Sequence, residues 1–473
     1  MTPQTMTKKL ELEGLGRRRV EADFSAGRVS SDGGGLLLRE VDKRLRLTQR
    51  LAWCFHDFRN PDLIEHSVRE LIAQRVYGLV LGYEDLSDHE QLSRDPLFAA
   101  MVGKVDLEGR DRARTRDVGK ALASPSTLGR IERTKETAND KTRYEKVLCD
   151  FDAVAALFVE LFIESYKHPP GVVVLDLDPS DVPLHGTQEQ RFYHGYYGHH
   201  CYLPLYAFCG GQPLAVELRP SNIDGAKGVD KMLMLTVEQL RAAWPDVRII
   251  IRGDSGFCRE WLMSWCEQRP GVDYVFGLAR NERLVGAIAQ QMEQARREYL
   301  QTHQAARRFR DFRYRTLKSW TRRRRVVGKA EYLAKGENPR FVVTSLPASE
   351  YERRYLYEEL YCARGEMENR IKEQQLDLFG DRASCHEFRG NKVRLWLSMA
   401  AHLLVEGLRR LALEGTELAK AQASTLRVRL FKIGALMTVS VRRVQVRFSS
   451  AFPMQNLFTV ILQRLRAPPL PTV

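Results

Sequence analysis

Three short stretches of the 473-residue chain hold carboxylates where phosphoryl-transfer chemistry would want them. The first is GVVVLDLDPSD, residues 171–181, which runs an apolar segment into Asp176, Asp178 and Asp181. The second is VRIIIRGDSG, in which Asp254 stands one glycine beyond another apolar run. The third is YCARGEMENRIKEQQ, where Tyr361, Arg364, Glu368 and Gln375 fall within about 60° of one helical stripe at 100° per residue. Divalent-metal catalysis on phosphodiesters needs hard oxygen ligands converging from separate elements, because Mg²⁺ takes carboxylates together with water and substrate phosphate. Each stretch also has an ordinary reading. GDSG is a turn signal, and Glu366 with Arg370 and Glu368 with Lys372 are i,i+4 pairs that suit a solvated helix. The conjunction of strand-end Asp, strand-end Asp and helical Glu is what favours a metal site.

The elements around these residues read as a mixed α/β sheet. Strand periodicity places Asp176 and Asp178 on one face, about 7 Å apart, and Pro179 marks the strand's end. CYLPLYAFCGGQPLAVELRP reads as two strands turning at Gly210 and Gly211. A helix at about 227–242, the strand before Asp254, a helix at about 257–268 and a strand at 273–279 follow. Residues 166–284 therefore form the first part of a core, and 351–473 a second part with the Glu368 helix and a C-terminal region. Between them, 285–350 reads as a β-rich insertion containing FRDFRYRTLKSWTRRRRVVGK. There Trp320 and Arg322, Arg323, Arg324 and Arg325 mix aromatic and basic character, as phosphate neutralisation and base stacking require; burial of Trp320 in a small core is the alternative.

Residues 1–165 read as mainly helical after a short extended start. Within them LASPSTLGRIER offers Ser124 or Ser126 as the cap of a helix opening on Thr127, presenting Arg130 and Arg133 as a groove-reading helix would. An ordinary capped surface helix explains the same residues. Near the C-terminus VSVRRVQVRFSS reads as a single strand with Arg443, Gln445 and Arg447 on one face.

Lys and Arg number 74 against 60 Asp and Glu, a net +14 that attracts polyanions, nucleic acid first. No run of 18 apolar residues and no signal-peptide pattern occurs, so a soluble intracellular protein without a membrane partner is expected. Eight cysteines without a CxxC pair argue for reduced thiols. The cluster of His185, His194, His199, His200 and Cys201 lacks finger spacing and reads as a polar loop beside the catalytic site rather than a zinc site. Ser255 of GDSG and His402 occur in the wrong order for a chymotrypsin-type protease, and SDGGGLLLRE lacks the P-loop lysine.

On LDLDPSD with HGTQE behind it, IRGDSGF, YCARGEMENRIKE, GYEDLSDHEQLSRDP (82–96) and LASPSTLGRIE, the chain resembles the DDE transposases of bacterial insertion sequences. The resemblance is to the insertion-sequence-1380 group, with its ribonuclease-H-like core, over nearly the whole chain. Related transposases carry Y-x2-R-x3-E-x6-K; Tyr361, Arg364 and Glu368 match it, and Gln375 stands where the lysine would be. The family's first aspartate lies two residues before a Thr or Ser, which selects Asp178 ahead of Ser180. The resemblance implies that Asp178, Asp254 and Glu368 hold two Mg²⁺ ions, with Mn²⁺ able to substitute. It also implies cut-and-paste transposition: cleavage of double-stranded DNA at terminal inverted repeats and strand transfer into target DNA. A homodimer on DNA in the bacterial cytoplasm, associated with the nucleoid, is expected on the same ground. Residues 1–165 would then bind DNA. The competing expectations are a catalytically inactive DNA-binding derivative and a ribonuclease-H-like nuclease without strand transfer.

Overall fold

The computed structural model describes residues 9–467. Its centre is a nine-stranded mixed sheet, the product of a chain whose apolar strand runs demand burial on both faces. We label its main strands β1 (Val172–Pro179), β2 (Leu205–Cys209), β3 (Gln212–Glu217), β4 (Arg248–Gly253), β5 (Val272–Leu278), β6 (Ala306–Tyr314), β7 (Arg324–Leu333) and β8 (Arg340–Thr344). The spatial order is 3-2-1-4-5-8-7-6, and a short strand, Gly336–Glu337, pairs with β7. β1 runs parallel to β4 and β4 to β5, while β2 and β3 return antiparallel through the tight turn at Gly210, whose φ of +56° suits glycine. The strands after β5 do not stand apart from this core. β8 pairs antiparallel with β5, and β7 and β6 continue the same sheet outward.

Helices cover both faces. In chain order they include α1 (Val68–Leu81), α2 (Pro125–Arg133), α3 (Phe151–Ile163), α4 (Val229–Ala243), α5 (Glu260–Glu267), α6 (Ala289–Thr302), α7 (353–377), α8 (Phe388–Leu408) and α9 (Gln455–Arg466). Alternation along the strands decides which cover packs where. Val173, Leu175, Ile249 and Ile251 face a core shared with Leu233 and Leu240 of α4 and Leu262 of α5. Ile250, Val275, Val327 and Val342 face the other way, against Leu356, Tyr357 and Leu360 of α7. A third core joins the ends of the chain, packing Ile72 and Val76 of α1 against Leu403 and Leu404 of α8 and Ile461 of α9.

α1 begins on a reciprocal capping box between Ser67 and Glu70 and ends at Gly82 in the left-handed region, with φ of +95°. Two local expectations change. The region 435–448 is a hairpin, Ala435–Val439 with Val444–Phe448, turned where Ser440 N–H donates to the Arg443 carbonyl, rather than one strand. Arg443 therefore lies in the turn, off the face that Gln445 and Arg447 share. α2 opens on Pro125, so Ser124 takes the cap position; its hydroxyl meets Ser126 and Thr127 hydroxyls and makes no backbone cap bond.

Candidate active site

Asp178 is the last residue but one of β1 and Asp254 follows β4 directly, so the parallel pairing of these neighbours brings both carboxylates to the same, carboxyl-terminal end of two central strands. Asp254 is held by its own turn: its Oδ1 accepts the Gly256 N–H at 2.8 Å, capping the short helical turn Ser255–Phe257. Close by, Gly277 of β5 lies against the Tyr361 hydroxyl; a Cβ there would stand 2.6 Å from that oxygen and 2.9 Å from the Ser255 nitrogen. Only glycine lets Tyr361 approach Asp254 in this way.

α7 delivers the glutamate, and it is not a regular α-helix. Its hydrogen bonding runs α over Arg353–Tyr355, π over Leu356–Tyr361, 3₁₀ over Cys362–Arg364, α again over Gly365–Lys372, then π over Glu373–Asp377. Such wide and tight turns re-aim side chains and recur at functional sites. The result is that Arg364 donates to Asp178 Oδ1 at 3.1 Å and pairs with Glu368 Oε1 at 2.7 Å, joining the strand-end carboxylate to the helical one. The two i,i+4 pairs that spacing suggested, Glu366 with Arg370 and Glu368 with Lys372, are not made among the described residues: Glu368 pairs with Arg364, one turn the other way, and Arg370 with Glu373 at 3.3 Å.

Beneath the rim lies a buried ion pair that spacing alone did not reveal. Arg252 and Asp176 sit opposite each other in the β1–β4 register, two residues before Asp254 and Asp178. Arg252 Nε and Nη2 grip the two Asp176 oxygens at 2.5 and 2.7 Å, and Nη1 donates to the Leu360 carbonyl in the π segment of α7. Asp176 is thus committed to a bidentate pair, and Arg252 ties both strands to the helix that carries Glu368. Sequence offered one signal for this: an arginine inside an otherwise apolar strand needs a partner.

Asp178 itself is unsettled electrostatically. Its carboxyl is raised to about 7: burial is the largest cause, Arg364 opposes it, and repulsion from Asp254, Glu368 and Asp176 adds to it. Hard oxygens in mutual repulsion are the donor set a divalent ion stabilises, so the residues fit such an ion in chemistry. In geometry they surround Arg364. Among the described residues no three His, Cys, Asp or Glu side chains gather closely enough to hold one metal ion.

The remaining sequence candidates are placed as follows. Asp181 accepts from His199 Nε2 at 2.8 Å, and its carbonyl accepts from the Gln375 amide at 3.0 Å, so Gln375 braces the turn after β1. Trp320 is 6% exposed, edge-on to Tyr314 and beneath Arg324; its ring is core and leaves no open face for a base. Arg324 and Arg325 are buried too, Arg324 between Glu260 and Glu267, Arg325 on Asp311. Burial opposes the Glu260 charge, but Arg324 and Thr321 outweigh it and hold that carboxyl at about 2. Both arginines are structural ion-pair partners, a correction to their reading as phosphate contacts. Arg322 is exposed and paired with Glu267, and exposed Arg323 makes no ion pair among the described residues. Arg130 is exposed over the Tyr144 ring, and Arg133 pairs with Glu145 at 3.4 Å. Arg280 and Arg340, not singled out by sequence, line a cleft of about 480 Å³ with Asp254 and Tyr361.

Comparison with known proteins agrees with this architecture. The family model described as "Transposase DDE domain group 1" matches residues 12–470. The chain belongs to that family, the DDE transposases, over almost its whole length. No curated protein sequence matches it. Among solved structures it is similar to one titled a cryo-EM structure of piggyBac transposase synaptic complex with hairpin DNA. That match has 12% identity and a TM-score of 0.41, and covers 94% of this chain and 84% of the other. Among the described residues no helix is long and apolar enough to cross a membrane.

Proposed function

We propose that the protein is an active DNA transposase that cleaves DNA at terminal inverted repeats and joins the freed ends to target DNA. The observation that carries this reading is the meeting of Asp178, Arg364 and Glu368, from β1 and α7, beside Asp254 after β4. Asp178, Asp254 and Glu368 would hold divalent ions, Mg²⁺ or in its place Mn²⁺. When bound, these supply Lewis-acid activation and charge neutralisation for in-line attack at phosphorus.

The chain's own groups do the rest. Arg252 and Asp176 hold β1, β4 and α7 in register beneath the carboxylates, and Gly277 admits Tyr361 to the Asp254 side. Arg280 and Arg340 give the adjoining cleft the positive charge a phosphodiester backbone requires. Arg364, bonded to two carboxylates, balances their charge and would turn to phosphate when cations take over that task. A DNA partner follows from the family and from the +14 charge, with residues 1–165 as the region that recognises the ends and two copies pairing them.

The test uses purified protein, Mg²⁺ and DNA carrying the inverted repeats that flank its gene. Nicked and joined products are expected from the wild type and none from Asp178→Asn. Cleavage that survives Asp178→Asn sinks the site assignment. Cleavage without joining identifies a nuclease, and binding without cleavage an inactive derivative.

A further inference from the structure

The segment between β1 and β2 builds a second surface beside the carboxylates. Phe192–His194 pairs antiparallel with His199–Tyr202, which also pairs with Val182–Pro183, giving a small three-stranded sheet. Its root is firmly held. Cys201 and Tyr202 are fully buried, the Tyr202 hydroxyl donates to the Glu189 carbonyl at 2.6 Å, and Ser221 donates to the Phe192 carbonyl at 3.0 Å. His199 bonds Asp181, three residues beyond Asp178, so the hairpin is fastened to the turn that follows the catalytic strand.

Its tip is the opposite of a core. Tyr196 is 85% exposed and Tyr193 60%, while Tyr197 lies between them and the aspartates with its phenol pushed up to about 12 by burial and then by Asp181 and Asp178. Tyr196 meets Tyr197 edge-on at 5.1 Å, and Tyr193 meets its cross-strand partner His200 edge-on at 5.6 Å. At these exposures much of each ring's surface is open to solvent. From Gln190 to Tyr202 the chain contains Arg191 and three histidines and no acidic residue, so the hairpin itself adds no negative charge to repel a polyanion. Tyrosines this exposed add little to their own fold, and flat aromatic faces on an anchored hairpin without acidic residues match the recognition of unpaired bases.

We propose that this hairpin is a stacking platform for unpaired nucleotides at the DNA end being processed, with Tyr193 and Tyr196 supplying the ring faces. This rests on the transposase reading above and assigns to the hairpin the base-stacking role that the burial of Trp320 forbids. Stacking is tolerant of sequence, so the test needs no knowledge of the repeat. Binding is measured without divalent ions, comparing a blunt duplex with the same duplex carrying a short unpaired thymidine tail.

The wild type is expected to prefer the tailed DNA. Tyr196→Ala and Tyr193→Ala are expected each to lose about 5- to 150-fold in affinity for it while leaving blunt-duplex binding unchanged. Tyr196→Phe is expected to keep the preference, because it keeps the ring, and unchanged melting temperatures would show that the fold is intact. Equal binding of the tailed DNA by wild type and both alanine variants overturns the platform and leaves the transposase reading standing. Failure of the wild type to bind either DNA overturns both. Weakened self-association of Tyr196→Ala with unaltered DNA affinity would assign the surface to a second copy of the chain instead.

Discussion

Removing Arg252 is the most informative single perturbation of the site. In Arg252→Met the Asp176 carboxylate keeps its place at 2% exposure but loses both Arg252 donors, and the Leu360 carbonyl loses its bond from β4. Breaking one side of a buried ion pair costs about 3–5 kcal/mol, because a lone charge remains in a dry site. Against a total stability on the order of 5–15 kcal/mol that is a large fraction, and in a chain of this length it lowers the melting temperature by about 3–5 °C. The double variant Asp176→Leu/Arg252→Met removes both charges, and apolar replacement of a buried pair is often neutral. It should therefore melt near the wild type. Its helix α7 should nevertheless be loosened where Arg252 held the Leu360 carbonyl. Amide hydrogen exchange over residues 356–364 should remain faster than in the wild type, and DNA cleavage should stay low despite restored stability. Additive losses in the two single variants, or wild-type exchange in the double variant, would refute the claim that Arg252 positions the glutamate helix.

Three further outcomes follow from particular contacts. Mg²⁺ should raise the melting temperature of the wild type and not of Asp178→Asn, since binding to the native state alone stabilises it; equal shifts would place the ion elsewhere. Trp320→Ala should destabilise by about 3–5 kcal/mol through cavity formation, seen in denaturant melts, with DNA affinity of the remaining folded protein unchanged. His66, depressed to about 3 by burial and then by Lys104, Arg112 and Arg59, is neutral in the fold and protonates in the unfolded chain from about 6.5 downward. Its stabilising contribution is present above pH 6.5 and lost as pH falls toward 3, so His66→Asn should lose less stability than the wild type across that window in pH-dependent melts.

Much of this was legible in the residues. Period-two apolar runs located β1, β4 and β5, the Gly210 turn located the β2–β3 hairpin, and helical spacing located the segment that carries Glu368. These are local signals, set by alternation and turn chemistry within a few residues. Asp178 and Asp254 were likewise readable as strand-end carboxylates and Glu368 as a helical one, because short-range pattern defines each element; their assignment as a ligand set came from the family resemblance. What pattern did not show was partner choice across the sheet. The run from Arg322 to Arg325 reads as uniform basic charge, yet β7 turns Arg324 and Arg325 inward onto acids from α5 and β6 and leaves Arg322 and Arg323 outside. Residues 306–344 read as strands of an insertion, but that they extend the core sheet from β5 depends on pairing between residues tens of positions apart.

The opening stretch divides in the same way. Sequence by itself determined that GVVVLDLDPSD ends a strand with two aspartates on one face, since side-chain period and proline are local constraints. Only the tertiary structure decided what each aspartate meets. Parallel pairing with β4 commits Asp176 to Arg252, the irregular turns of α7 bring Arg364 to Asp178, and Gln375 and His199 hold the Asp181 turn. Charge partners are chosen by which strands and helices become neighbours, a long-range outcome of burying the sheet that no window of the sequence contains.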